Sequence, residues 1–251
     1  MLTEERYAAI LRLLEERKAV TVVELTELLH TSESTIRRDL TSLHKSGRLY
    51  KVYGGATALS SHYTASEDDM RTKNSLYTEE KIAIARHAAT MIRSGDFVYL
   101  DAGSTTLQMI DFLSEKGATY VTNGLPHAAR LASHGFKAFI LGGRVKAVTE
   151  AVIGADALAS LKGYNFTKGF FGTNGVSVES GFSTPDADEG TVKGEAVSRC
   201  KRAYVLADRS KFNRITPITF APLTSAAIIT GRLEDKKYRD FTTIIEEGDE
   251  H

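Results

Sequence analysis

From Phe97 onward, seven short apolar segments alternate with segments of helical character. The apolar segments are FVYLDA, ATYVTN, KAFILGG, FTKGFFGT, RAYVLAD, AAIIT and TTIIE. Helical stretches lie near residues 104–116, 124–134 and 186–200. Strands that alternate with helices form a mainly parallel sheet that is covered on both faces. This pattern predicts an α/β domain over residues 79–251.

A different pattern occupies the first 58 residues. The segment TEERYAAILRLLEERKAV carries the apolar stripe of an amphipathic helix, and Thr21 and Glu24 have the spacing of a capping box that opens a second. Ser32 is suited to cap a third helix, which Gly47 would end. RLYKVYGGATAL alternates around a Gly-Gly pair, which is typical of a hairpin. We expect three short helices and a β-hairpin.

The remaining segment, residues 59–78, is polar and has little periodicity, so we interpret it as a linker that leads into a helix at about 79–94. The hydrophobic and charged contents, 42% and 25%, are typical of soluble proteins. The sequence has no stretch of roughly 18 apolar residues, and MLTEERYAAI does not resemble a signal peptide. A lone Cys200 excludes an internal disulfide framework and a Cys-rich zinc site. We expect a cytoplasmic protein that does not bind membranes.

The third predicted helix carries adjacent arginines in a chain whose formal net charge is zero. Ile36, Leu40 and Leu43 form its apolar face, so Arg37 and Arg38 must project elsewhere. The planar guanidinium of arginine can bind guanine or phosphate through two hydrogen bonds. A solvated face, with Asp39 as a local salt-bridge partner, is the alternative interpretation.

The surroundings of the arginines favour DNA contact. In a helix-turn-helix, the second helix of the pair lies in the major groove. Five basic residues and one acidic residue fall between Ser34 and Thr57, so charge is segregated although the total cancels. The predicted DNA-binding residues are Ser32, Ser34, Thr35, Arg37, Arg38 and Thr41 on the helix and Arg48 and Lys51 on the hairpin.

In the second domain, YLDAGSTTLQMIDFL places polar and small residues where a predicted strand gives way to a helix. Gly103 allows a tight turn, and main-chain N–H groups with adjacent hydroxyls can bind an anion such as phosphate. Simple helix capping is the alternative. The segment lacks the Gly-Lys-Ser/Thr of a nucleoside-triphosphate P-loop.

Polar and small residues also follow other predicted strands. Ligands of open α/β sheets bind at the carboxyl ends of strands. A lysine and carboxylates in STPDADEGTVKGEA could contact a phosphate and sugar hydroxyls, although Glu189 and Lys193 also have the spacing of a surface ion pair. Asp208 and Lys211 are less favoured candidates. The predicted ligand-binding residues are Asp101, Gly103, Ser104, Thr105, Thr106, Asn123, Gly142, Gly143, Asn174, Asp186, Glu189 and Lys193.

Taken together, the spacing of Arg6, Ile10 and Leu14, then SESTIRRDL, then GRLYKVYGGA resembles the DeoR family of bacterial transcription repressors. Tyr53 stands where the family usually has histidine. The resemblance continues through LDAGSTTLQMIDF, FGTNGV, GFSTPDADE and AYVLADRSKF, and so covers nearly the whole chain. It implies a winged helix-turn-helix, and a sensor domain whose fold is similar to ribose-5-phosphate isomerase and glucosamine-6-phosphate deaminase. It also implies a phosphorylated sugar as inducer; the motifs look closest to repressors of fructose phosphotransferase operons, which respond to fructose 1-phosphate.

We therefore expect a repressor of a sugar-utilisation operon that binds operator DNA as a homodimer or homotetramer, since two-fold half-sites need at least two subunits. No cofactor, metal or catalytic residue is predicted. A sugar-phosphate isomerase or deaminase with an appended DNA-binding domain is the alternative, with Asp101, Glu189 and His127 as acid/base groups. A metal enzyme is disfavoured because the seven histidines show no HExxH spacing.

Overall fold

The fold comes from a computed structural model, which describes residues 2–17, 19–46, 48–52, 54–58, 78–233 and 235–248. The described residues form two compact units, one up to residue 58 and the other from residue 78. Gly47, Tyr53 and residues 59–77 of the predicted linker lie outside the described residues. The domain boundaries stay predictions. None of the helices described is long and apolar enough to cross a membrane.

The first unit contains three helices and a three-stranded antiparallel sheet in the order β1-β3-β2. The elements are α1 (Thr3–Arg17), β1 (Ala19–Thr21), α2 (Val22–Leu28), α3 (Glu33–Lys45), β2 (Tyr50–Val52) and β3 (Gly55–Thr57). The predicted capping box is present, since Thr21 Oγ1 accepts from the Glu24 N–H at 3.1 Å and Glu24 accepts from the Thr21 N–H at 2.7 Å. Ser32 caps α3 by accepting from the Thr35 N–H at 3.3 Å. This is a winged helix-turn-helix, as predicted, with β1 as an additional strand.

The core of the first unit joins all three helices to the sheet. Ile10 of α1, Leu25 of α2, and Ile36 and Leu40 of α3 are completely buried. Asp39 is also buried, and its carboxylate accepts two hydrogen bonds from the Arg6 guanidinium, one of them at 3.0 Å. Asp39 is therefore a partner of Arg6 on α1, and the alternative interpretation in which it pairs locally with Arg37 and Arg38 is wrong on this point.

The second unit is built on a seven-stranded parallel sheet in the order β15-β14-β12-β9-β4-β5-β6. Its strands are β4 (Phe97–Leu100), β5 (Thr119–Thr122), β6 (Lys137–Ile140), β9 (Phe166–Gly172), β12 (Cys200–Leu206), β14 (Ala227–Thr230) and β15 (Ile244–Glu246). All seven apolar segments of the sequence form strands of this sheet. The predicted α/β fold class is confirmed.

Helices cover both faces of the sheet, and smaller strands and turns complete the unit. The helices are α4 (Thr78–Ala89), α5 (Ser104–Met109), α6 (Leu125–Ser133), α7 (Ala155–Leu161) and α8 (Ala187–Ser198), with single 3-10 turns at Ile110–Phe112, Arg209–Lys211, Leu223–Ser225 and Lys236–Asp240. The additional strands are β7 (Arg144–Lys146) and β8 (Ala151–Ile153), which form a hairpin, and β10 (Gly175–Ser177), β11 (Gly181–Thr184) and β13 (Ile218–Ala221), which form a small antiparallel sheet.

The alternation of side chains along β4 explains why the sheet has two cores. Val98 and Leu100 pack with α4, α5 and α6 on one face, whereas Tyr99 packs with α7 and α8 on the other. All three side chains are completely buried. A strand that is buried on both faces has a continuous apolar sequence, because neither set of alternate side chains faces water.

We predict that Asp39→Asn destabilises the first unit by about 3 kcal/mol, because the change removes the buried carboxylate charge that accepts two hydrogen bonds from the Arg6 guanidinium. Urea unfolding of the full-length protein, followed by circular dichroism, measures the effect. The matched control is Glu33→Gln in the same helix, which removes an exposed pair with Arg37 and should cost less than about 0.5 kcal/mol. Equal decreases in the free energy of unfolding in the two variants would contradict a larger contribution from the buried pair.

Candidate DNA-binding surface and ligand site

The predicted DNA-binding side chains lie on one accessible part of the first unit. Ser32, Ser34, Arg37, Arg38, Arg48 and Lys51 are exposed, and Thr35 and Thr41 are half-buried. The opposite side of α3 is occupied by the core residues Ile36, Leu40 and Leu43. The helix therefore presents a polar, basic face to solvent.

Hydrogen bonds connect α3 to the hairpin on this face. Lys51 Nζ on β2 donates to Thr41 Oγ1 at 2.8 Å, and Thr41 Oγ1 donates to the Arg37 carbonyl at 2.7 Å. Arg37 also pairs with Glu33 one turn earlier, with both side chains more than half exposed. An exposed ion pair of this kind contributes little to stability. Arg37 can therefore exchange Glu33 for another anion at little cost in free energy.

In the second unit, the carboxyl ends of β4, β9 and β12 surround a cavity that we call the strand-end pocket. Its volume in this arrangement of side chains is about 50 Å³, room for about three or four water molecules. Its lining residues are Lys81, Ala102, Gly103, Ser104, Thr105, Thr149, Gly172, Thr173, Asn174, Glu189, Lys193, Leu206 and Lys211.

A buried ion pair lies beside this pocket, with Lys193 in the lining and Asp101 behind it. The Asp101 carboxylate, 1% exposed, accepts hydrogen bonds from the Lys193 ammonium and, at 3.0 Å, from the Gly172 N–H. Both use Oδ2, and Asp101 Oδ1 is buried without a hydrogen-bond partner among the described residues. A buried acceptor without a donor is costly, so the stability of the fold alone does not explain this carboxylate.

A second group of carboxylates and lysines lies on the β7–β8 side of the pocket. Glu189 accepts a hydrogen bond from Thr149 Oγ1, and Lys146 Nζ lies 3.2 Å from Glu189 and 3.1 Å from Asp186. Asp186 caps α8 by accepting from the Glu189 N–H at 2.9 Å. Glu189 is buried and lines the pocket, whereas Asp186 supports it from behind.

His127 holds the DAGSTT segment from the neighbouring helix α6. Its Nε2 lies 3.1 Å from both the Gly103 carbonyl and Thr106 Oγ1. Since a carbonyl only accepts, Nε2 carries the proton, and the ring is neutral because burial lowers the pKa of His127 to about 4. Thr106 also bonds within the segment, with its hydroxyl 2.6 Å from the Asp101 carbonyl and 3.0 Å from the Gly103 N–H.

The twelve predicted ligand residues fall into three groups in the structure. Six of them line the strand-end pocket: Gly103, Ser104, Thr105, Asn174, Glu189 and Lys193. Asp101, Thr106, Asn123 and Asp186 stand behind the lining; Asn123 Oδ1, for example, accepts from the Ala102 N–H at 2.9 Å. Gly142 and Gly143 are exposed after the edge strand β6 and are not among the lining residues.

Seven lining residues are not in the predicted set: Lys81, Ala102, Thr149, Gly172, Thr173, Leu206 and Lys211, of which Lys211 is a less favoured candidate of the sequence analysis. Lys81 could have been found, because it lies three and four residues before Ile84 and Ala85, which are completely buried on α4. A lysine on the apolar face of a helix is unusual unless it is paired or functional. No comparable pattern marks Thr149, which lies between β7 and β8.

A larger cleft of about 1260 Å³ lies at the opposite, amino ends of the strands. Lys168, Lys201 and Arg202 line it, together with Cys200 and Phe241. Parallel sheets bind ligands at the carboxyl ends of their strands. The strand-end pocket also has the buried, charged side chains that this open cleft lacks, so we take it as the candidate ligand site despite its smaller volume.

We predict that His127 makes the sensor unit less stable in mild acid. The unfolded chain takes up a proton near the ordinary histidine pKa of 6.5, whereas folded His127 takes one up only near 4. The free energy of unfolding therefore falls as the pH drops from about 6.5 to about 4, with a loss of about 2 kcal/mol at pH 5.

Urea unfolding at pH 7 and pH 5 measures this loss in the full-length protein and in His127→Gln, which cannot titrate. The loss of unfolding free energy between pH 7 and pH 5 should be smaller in His127→Gln by about that amount. His134→Gln replaces an exposed histidine at the end of the same helix, and this variant should retain the pH dependence of the wild type. Identical pH dependence in all three proteins would contradict the burial of a neutral His127.

Comparisons with known proteins agree with this two-part organisation. The DeoR-like helix-turn-helix domain matches residues 6–62, and the DeoR C terminal sensor domain matches residues 76–232. The chain is 44% identical over 242 residues to an uncharacterized HTH-type transcriptional regulator FruR of Bacillus subtilis (strain 168), covering 96% of both chains. It is 31% identical to a lactose phosphotransferase system repressor of Streptococcus mutans, covering 98% of this chain and 99% of the relative.

Among solved structures, the chain is similar to ribose 5-phosphate isomerase A of Methanocaldococcus jannaschii, with a TM-score of 0.40 and 14% identity over 54% of each chain. That likeness is too distant to indicate an activity. The matches of both domains and the identity over almost the full length decide the family. The chain belongs to the DeoR family, with the helix-turn-helix domain in its first unit and the sensor domain in its second.

Proposed function

We propose that this protein is a transcription repressor of a sugar-utilisation operon, and that a phosphorylated sugar in the strand-end pocket releases it from operator DNA. The observation that carries the proposal is the buried Lys193 ammonium in the wall of the strand-end pocket, which Asp101 holds from behind and which shares the lining with Ser104, Thr105 and Glu189. A ligand with both hydroxyl and anionic groups complements this lining. The lactose phosphotransferase system repressor of Streptococcus mutans, 31% identical to this chain, is a repressor by name.

DNA binding is assigned to α3 and the hairpin, with Arg37 and Arg38 as the main candidates for base or phosphate contacts. Ser32, Ser34, Thr35 and Thr41 line the same face, and Arg48 and Lys51 extend it onto the wing. The two-fold symmetry of operator half-sites requires at least two subunits. We therefore propose a homodimer or homotetramer.

The effector is proposed to be a sugar phosphate, with fructose 1-phosphate as the first candidate because the sensor motifs resemble those of fructose-operon repressors. The free volume of about 50 Å³ is smaller than a sugar phosphate. Side chains of the pocket must therefore move when the ligand enters, and Lys193 and Lys211 are long enough to do so.

An enzyme is the less favoured alternative. His127 does not line the strand-end pocket, and its low pKa of about 4 makes it a poor proton carrier near neutral pH. Asp101 is held by Lys193, and Glu189 by Thr149 and Lys146. Of these three groups only Glu189 lines the pocket, which disfavours an acid/base set at this site.

We predict that Arg37→Ala weakens binding to operator DNA about 10-fold to 100-fold, because a guanidinium that contacts a base contributes about 1–3 kcal/mol. The operator is obtained by selection from random DNA with the full-length protein, and affinity is measured by fluorescence anisotropy at fixed salt. Arg12→Ala, an exposed arginine on α1, controls for the loss of charge alone. Unchanged sequence-specific binding by Arg37→Ala would contradict the assignment of α3.

We predict that fructose 1-phosphate stabilises the full-length protein against heat and releases it from the selected operator. A ligand that binds only the folded state adds roughly 2.7 kcal/mol at 100 times its Kd. Fructose 6-phosphate and fructose are tested in parallel. If another sugar phosphate acts instead, the pocket assignment survives and the fructose assignment fails; if none acts, the sensor proposal is wrong.

A further inference from the structure

Exposed apolar side chains are concentrated at one edge of the sensor domain. Among the described residues, nine large apolar side chains are at least 41% exposed, and more than half of them fall between residues 125 and 148. Single exposed apolar residues are normal, but a concentration of them marks an interaction surface. We call this group the edge patch, and its members are Leu125, Phe139, Ile140, Val145 and Val148.

The order of the chain brings the edge patch to one end of the seven-stranded sheet. Leu125 is the first residue of α6, the helix that leads from β5 to the edge strand β6. Phe139 and Ile140 lie on β6 itself, and Val145 and Val148 lie on β7 and in the turn that follows it. All five residues therefore belong to consecutive elements at the β6 end of the sheet.

The two edges of the sheet differ in how they are protected. β6 pairs with β5 on its inner side, and no strand of the described residues lies beside its outer side. An open edge is a template for a further strand unless charged or buried side chains protect it. At the opposite edge, Ile244 and Ile245 of β15 are buried and Glu246 follows them. β6 exposes Phe139 and Ile140, so it is the edge that remains open to a partner.

A second copy of this chain fits such an edge. A two-fold axis beside β6 places the β6 strands of two subunits antiparallel, so that the same surface serves both subunits. The outer main-chain groups of each strand can then bond to those of the other strand. The same symmetry brings the edge patches of the two subunits together and removes their apolar side chains from water.

Two exposed charged residues at this edge are complementary under the same symmetry. Lys137 is the first residue of β6, and Glu150 lies beyond the carboxyl ends of β5 and β6, where its carbonyl accepts from the Leu125 N–H at 3.0 Å. Neither charged side chain has an ion-pair partner among the described residues. In an antiparallel pair of edges, Lys137 of one subunit lies towards the end that carries Glu150 in the other. Opposite charges across an interface fix its orientation.

We propose that β6 and the edge patch form a two-fold interface between two copies of this chain, with the two β6 strands antiparallel. This inference rests on the proposed function, which requires at least two subunits on operator half-sites. It assigns the contact between subunits to one edge of the sensor domain.

The interface also gives a role to two glycines that do not line the strand-end pocket. Gly142 and Gly143 connect β6 to β7, and Gly143 has a φ of 142°, a conformation that residues with a Cβ rarely adopt. This connection lets the chain leave the edge strand and enter the β7–β8 hairpin. The hairpin thereby adds Val145 and Val148 to the apolar surface of β6.

The test measures the mass of the full-length protein by sedimentation velocity and light scattering over a range of concentrations. Phe139→Glu should halve the number of subunits in the assembly, because the two-fold axis brings two such charges into an apolar interface. The matched control is Phe241→Glu before the opposite edge strand β15, which replaces the same side chain at nearly the same exposure, 44% against 45%. This control should keep the wild-type mass. Dissociation by Phe241→Glu in place of Phe139→Glu would overturn the assignment of the interface to β6.

The antiparallel orientation has a separate test by charge reversal. Lys137→Glu should weaken the association of subunits, because it places glutamates at both ends of the interface. The double variant Lys137→Glu with Glu150→Lys should restore the association, since opposite charges again face each other. An equally weak association in the double variant would overturn the antiparallel orientation.

Val145→Glu provides a second variant on the hairpin, and circular dichroism shows that each variant is folded. Binding to an operator with two half-sites should fall at least about 10-fold in Phe139→Glu, whereas binding to a single half-site stays unchanged, because the helix-turn-helix domain is intact. Wild-type mass in both Phe139→Glu and Val145→Glu would overturn this inference and leave the proposed function standing. A wild-type protein that binds its operator as a monomer would overturn the proposed homo-oligomer as well.

Discussion

The ion pair between Asp101 and Lys193 is the interaction on which the arrangement of the sensor domain depends. Asp101 follows the central strand β4, Gly172 is the last residue of β9, and Lys193 belongs to α8. A single carboxylate oxygen accepts hydrogen bonds from both partners. Three elements that are distant in sequence are thereby fixed at one point, and the strand-end pocket opens above it.

Stability alone does not account for this pair. Removing two charges from water costs several kcal/mol per ion, and apolar residues of similar volume often serve a fold equally well. The second oxygen of Asp101 is moreover left without a donor among the described residues. The pair has a different effect at the pocket, because Asp101 fixes the position of the Lys193 ammonium in the lining and so preorganises that ammonium for a ligand.

The sequence predicts some strands of this architecture and not others, and the difference has a physical reason. The central parallel strands are predicted because burial on both faces requires apolar runs, as in β4, whereas the apolar run of the edge strand β6 is largely exposed. The hairpin strands β7 and β8 and the small sheet of β10, β11 and β13 are three or four residues long. Such segments have too few alternations to be distinguished from loops.

The site is predicted in part for similar reasons. Polar residues directly after strands β4 and β9 predict a site at that edge of the sheet, and Ser104 and Asn174 do line the strand-end pocket. Gly142 and Gly143 have the same position relative to a strand in the sequence, but they follow the edge strand β6 and are not among the lining residues. The partnership of Arg6 with Asp39, 33 residues apart, is set by how α1 packs on α3, and no local spacing reveals it.

The small volume of the pocket bears on how ligand binding in the sensor domain can alter DNA binding by the helix-turn-helix domain. A ligand shifts an equilibrium between two states only if it binds them with different affinity. A cavity of about 50 Å³ holds only part of a sugar phosphate, so we expect the arrangement described here and the ligand-bound arrangement to differ in their side chains. Lys193 is held by Asp101, and Lys211 Nζ lies 3.7 Å from Asp208 Oδ2, so entry of an anion would exchange these partners and change the forces on α8 and on the turn after β12. If the operator is bound preferentially in the arrangement described here, DNA and ligand oppose each other's binding reciprocally.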